Sequence, residues 1–102
     1  MPDDPLRPWT LEGFTERFLA WVDLETIDEH ISRTVDEWID TRAADPYHGA
    51  TEEPRVEGLW WVKIPGTLHK GGDYIAICSY WINRDEHSVR CDNFGSAPWT
   101  VS

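Results

Sequence analysis

Long apolar runs are absent from this chain. No stretch approaches the ~20 apolar residues that span a bilayer, and Met1-Pro2-Asp3-Asp4-Pro5 has neither the basic nor the apolar segment of a secretory signal. Cysteine is scarce: Cys78 and Cys91 are the only two. They are too few for a disulfide framework and are not spaced as Cys-x-x-Cys or as a zinc finger. The expectation is a cytoplasmic protein with reduced thiols, no membrane partner, no metal and no cofactor. Basic residues are few as well, 9 Lys+Arg against 19 Asp+Glu, for a net charge of −10. A field of that sign repels phosphate backbones and anionic lipid, so nucleic acid is not an expected partner. There is no dinucleotide fingerprint, P-loop, EF-hand loop or HExxH motif, and no Ser-His-Asp arrangement can be argued. Neither an internal repeat nor a low-complexity segment is present.

Aromatic residues, by contrast, are abundant, with 7 Trp among 102 residues. That length suits a single domain, able to bury a core without metals or several disulfides. Residues 58–94 organise it and read as three antiparallel strands. The clearest is Tyr74–Ile82, aromatic and β-branched, free of Gly and Pro, and bounded by turn residues. Leu59–Ile64 precedes it, closed by Pro65-Gly66, and Ser88–Phe94 follows a polar turn within 83–87. The loop 66–73 is Gly-rich and expected to be mobile. Residues 95–102 read as an irregular tail, with Trp99 folding back.

The N-terminal half reads as helical over residues 10–44, after an extended Pro-rich arm, residues 1–9, anchored by Trp9. Leu11, Phe14, Phe18, Trp21 and Val22 fall on one helical face, as do Ile27, Ile31, Val35, Trp38 and Ile39. Thr10 is the expected cap of the first helix. Thr26 and Glu29 have the spacing of a capping box, which sets a break between the helices. The second helix ends near Ala44, because Pro46 disfavours a helical Asp45. Residues 45–57 show no periodicity and read as a long connection. The expected fold is therefore α+β: two N-terminal helices packed on one face of a three-stranded antiparallel β-meander.

Alternation places Tyr74, Ala76, Cys78, Tyr80 and Ile82 on one face of the middle strand, with Val89 and Cys91 beside them. The other face carries Ile75, Ile77, Trp81 and Phe94. Two helices cover one face of a small sheet but not both, so part of this second face is expected to be open, as a partner or homodimer surface. Cys78 and Cys91 share a face. They are directly opposed if the turn is 83–86 and offset by one pairing step if it is 84–87.

Charge is distributed unevenly. Residues 1–53 hold 14 Asp/Glu and 4 Lys/Arg, which alone gives −10, while residues 54–102 hold 5 of each. Glu25 and the second-helix acids Asp28, Glu29, Asp36, Glu37 and Asp40 form a negative ridge relieved by Arg33 and Arg42. Any one of them is an ordinary solvated residue. As a set they suggest docking to a basic protein surface, the physics used by inhibitors, antitoxins, immunity proteins and anti-defence proteins. Together with Trp81 on the second sheet face, the second-helix acids are the candidate binding residues.

A competing reading is enzymatic. His69, His87, Arg84, Arg90 and Tyr80 are the residue types that support RNA cleavage, by acid–base transfer and stabilisation of phosphoryl charge. Two helices followed by three antiparallel strands are similar to most of the layout of RelE-type ribonuclease toxins, without the first strand of that layout. A third reading is a Trp-lined small-molecule pocket between helices and sheet. A small anion nest at His69-Lys70-Gly71-Gly72 is weaker than a solvated loop.

Overall fold

A computed structural model of the chain describes residues 7–99. In chain order the elements are β1 (Thr10–Glu12), α1 (Phe14–Glu25), α2 (Glu29–Ala44), β2 (Thr51–Glu52), β3 (Leu59–Lys63), β4 (Tyr74–Asn83) and β5 (Ser88–Pro98). The fold is α+β, with two helices packed on a mixed five-stranded sheet ordered β1-β5-β4-β3-β2. The expected meander, β3-β4-β5, forms its antiparallel centre. Two short strands that the periodicity does not show extend it at either edge. β1 runs parallel to β5, with Thr10 opposite Ser88, and β2 pairs antiparallel with β3 inside the 45–57 connection.

Thr10 is thus a strand residue and caps no helix. Gly13, at φ 75°, makes the turn from β1 into α1 without a side-chain cap; only glycine adopts that conformation at no steric cost. The break between helices falls where the sequence places it, but by another device. Asp28, not Thr26, caps α2, its carboxylate accepting from Ile31 N at 3.1 Å. Thr26 instead ends α1 in the left-handed region, φ 52°.

Both helices bury most of the faces that their periodicity predicts, although Leu11 lies in β1 and Ile27 in the break between the helices. Phe14, Phe18 and Trp21 from α1 meet Ile31, Val35, Trp38 and Ile39 from α2 over Val62, Ala76, Cys78, Tyr80 and Val89 of the sheet. At the centre stands Phe94, expected on the opposite face. Ser79 pairs with Asn93, but Tyr80 pairs with Cys91, so Asp92 is an extra residue and forms a β-bulge. Side chains alternate with period two, so one inserted residue moves everything beyond it to the other face. Phe94 consequently lies under the helices, with ring centroids 6.0–6.5 Å from Phe14, Phe18, Trp21 and Trp38. The turn is 84–87, so Cys78 and Cys91 are offset rather than opposed. Both are buried free thiols.

No helix covers the second face. Leu59, Trp61, Ile77 and Trp81 are half-buried there among themselves, and Ile75 is buried. Trp9 is anchored as expected: its ring stacks on His87 at 4.0 Å and its N–H donates to Ala43 O. Residues 1–6 and 100–102 of the expected arm and tail lie outside the described residues. Residues 95–98 continue β5 rather than forming an irregular tail, and Trp99 N donates to Asp73 O. Among the described residues no helix is long and apolar enough to cross a membrane.

Candidate functional site

The exposed edge of α2 is the first candidate. Residues 29, 36 and 40 repeat at helical spacing opposite the buried face. Glu29, Asp36 and Asp40 accordingly stand in solvent, with Glu37 beside them. Glu29 is paired with Arg33 at 3.1 Å. Asp36, Glu37 and Asp40 make no ion pair or side-chain hydrogen bond among the described residues. Asp28 belongs to the helix cap and not to this edge. Beside the edge, α1 and α2 leave a groove of about 410 Å³ lined by Thr15, Phe18, Leu19, Glu29, Ser32, Arg33 and Asp36. Leu19, 57% exposed, is its apolar side.

Trp81 is not part of that surface. It lies on the sheet face away from the helices, so a single flat contact cannot include both. It floors a wider hollow of about 570 Å³ at the β4–β5 turn, where Arg84 and Arg90 alternate with Glu12, Glu57, Asp85 and Glu86. With two Arg against four acids, the lining is mixed in sign and net negative.

The set named for RNA cleavage is not brought together. Tyr80 is fully buried under the helices, whereas Arg90, paired opposite Trp81, is exposed on the far face. His69 pairs with Tyr74 at the start of β4, and His87 follows its end. Ten strand residues at ~3.3 Å each separate the two by roughly 30 Å. His87 Nε2 contacts Arg7 O at 2.9 Å, and Arg84 donates to Tyr47 Oη at 3.0 Å. A strand ahead of the helices is present as β1, but the residue set is not assembled. No protein-family model matches the chain, and no curated protein or solved structure matches it either.

Two polar networks escape the sequence reading. The first links α1 to the far end of the sheet. Glu25 Oε1 accepts from Lys70 Nζ at 2.9 Å and from Ser96 Oγ at 2.8 Å. Ser96 Oγ also lies 2.8 Å from His69 Nε2, whose Nδ1 is 2.7 Å from Thr67 O. Burial raises the Glu25 pKa, but the hydrogen bonds of Lys70 and Ser96, the Lys70 charge and the nearby Trp21 N–H outweigh it and hold it low. Trp21 Nε1 itself makes no hydrogen bond of ordinary geometry. The loop 66–73 is therefore pinned by Thr67, His69 and Lys70, and the Lys70 ammonium is paired rather than free for an anion nest.

The second network surrounds Arg42, which is 2% exposed. Its Nη1 donates to His48 O at 2.8 Å, Tyr80 Oη at 3.0 Å and Pro46 O at 3.4 Å, and its Nε to Thr41 Oγ1 at 3.1 Å. The guanidinium lies 4.7 Å from the Trp38 ring centroid. Tyr80 Oη in turn donates to Pro46 O. Burial raises the Tyr80 pKa, against the bond and charge of Arg42. A signal for this cluster was available: Arg42 stands four residues after Trp38 and three after Ile39, on the apolar face of α2. Buried there, Arg42 gives the exposed acids no relief. Burial also pushes the Cys78 thiol far up, with Cys91 adding to the effect, so Cys78 is not poised as a nucleophile.

Proposed function

We propose that this protein is a binding module that docks a basic protein surface through the exposed edge of α2. The observation that carries this reading is the group Asp36, Glu37 and Asp40, unpaired beside an apolar groove that exposes Leu19. An anionic rim next to an apolar anchor is the usual composition of an interface, in which charge steers the encounter and apolar burial holds the complex. Leu19 takes the apolar role in place of Trp81, which faces the other way.

The test compares two charge-matched double variants as bait for partners from the native cell. Asp36→Lys with Asp40→Lys alters the α2 edge. Asp85→Lys with Glu86→Lys makes the same change in net charge at the exposed β4–β5 turn. All four positions are exposed, where substitutions cost little stability. The first variant is expected to lose a basic partner that the wild type and the second variant retain. Its association rate should also depend less on salt, since exposed charges are screened over about 10 Å at 0.1 M. Equal loss in both variants would reduce the edge to net charge alone. RNA cleavage that disappears in His87→Ala would replace the binding reading with the enzymatic one.

A further inference from the structure

We propose that Arg42 is the anion-binding group of a small pocket that takes a short aliphatic carboxylate. The pocket lies between the last turn of α2, the turns at 46–50 and β3, with a volume of about 180 Å³. At ~30 Å³ of liquid volume per water it has room for about six waters, or for a carboxylate with a few carbons. Arg42 lines it with Trp38, Thr41, His48, Gly49, Val62, Lys63 and Pro65, and no Asp or Glu does.

The charge comes first. Among the described residues the ion pairs are Arg33–Glu29 and Lys70–Glu25, so the buried Arg42 guanidinium has no anion against it. Asp45, three residues on, accepts from Tyr47 N at 3.0 Å instead, and Asp40, two residues before, is exposed. The carbonyls around the end of α2 offset part of the charge, but dipoles do not replace a counter-ion in a buried setting.

The second consideration is valence. Nε and Nη1 have acceptors, whereas Nη2 has none among the described residues. Nor is Nη2 sealed away: Trp21 Nε1 is the one buried side-chain polar atom there without a partner. The Nη2 N–H groups therefore face reachable space, and the pocket is the space that Arg42 lines. The other contacts, with the Trp38 ring, hold the planar group in place, so little ordering is required on binding.

The walls decide the ligand class. Trp38, Val62 and Pro65 present apolar surface suited to an alkyl chain. An inorganic oxyanion has no carbon to set against those three walls, and any oxygen turned to them would lack a donor. A carboxylate sets its charge on the remaining Arg42 donor, Nη2, and presents carbon to the rest.

The experiment is a titration of the isotope-labelled full chain with sodium propionate, followed through the Arg42 Nε–H and Val62 methyl signals. Sodium chloride and 1-propanol are the controls. Propionate is expected to shift both signals saturably, and each control to act at least about tenfold more weakly, ~1.4 kcal/mol. His48→Glu supplies an internal carboxylate at the mouth of the pocket. The His48 side chain is exposed and Arg42 is held by its main-chain oxygen, so this variant should fold normally. It is expected to weaken propionate by at least about tenfold. Arg42→Lys, which keeps charge but loses the fork, is expected to weaken it as well. Unmoved signals at the highest propionate concentration, equal shifts with 1-propanol, or undiminished binding in His48→Glu would each overturn the proposal. The wild-type comparison of propionate with 1-propanol decides the matter even if a variant fails to fold.

Discussion

Phe94 shows how much one inserted residue decides. Were Asp92 regularly paired, the ring would sit on the open face opposite Ile77, and the helices would close over a void. With the bulge, four aromatic rings from both helices converge on one side chain. Truncating a buried Phe leaves a cavity that its surroundings fill only in part. Phe94→Ala is therefore expected to cost about 3–5 kcal/mol, read as a fall in the urea midpoint with an unchanged denaturant slope. Trp81→Ala, half-buried on the other face, is expected to cost clearly less. If the two costs were reversed, the bulge would be misplaced.

Among the elements, the junction of the two helices separates what the pattern states from what the structure does. Asp28→Ala is expected to lose about 1 kcal/mol, the usual worth of an N-cap. Thr26→Gly is expected to gain stability, because a β-branched residue at φ 52° is strained and glycine is not. Thermal melts of the two variants check both signs; a loss at Thr26 larger than that at Asp28 would restore the capping box. The long elements were legible because each repeats its apolar signal several times: α1, α2 and the three central strands fall close to their expected ranges. β1 and β2 have three and two residues, too few for any period. The bulge carries no composition signal, so the parity of β5 could not be read beyond Cys91. For the candidate site, the exposure of Asp36, Glu37 and Asp40 follows directly from helical spacing. The burial of Arg42 follows from the same spacing, but its charge argued against reading it so. The contacts that position it come from Tyr80 and the 46–48 carbonyls, which are remote or aperiodic in sequence.

For the whole molecule, the helices and the sheet depend on each other. The apolar faces of α1 and α2 touch each other but are covered by the sheet, and helices of their length are marginal alone in water. Residues 1–57 produced as a fragment are expected to show no cooperative thermal transition by circular dichroism, whereas the full chain shows one. A cooperative melt in the fragment would mean that the helices form a unit of their own. The pairing of Thr10 with Ser88 also imposes a delay in time. At synthesis rates of about 5–20 residues per second, residue 10 waits roughly 4–15 s for its partner to be made. During that interval Phe14, Phe18 and Trp21 are already translated and have nothing to cover them. The newborn chain is then at its stickiest, so yield during expression should respond to translation speed and to chaperone supply more than the stability of the finished protein suggests.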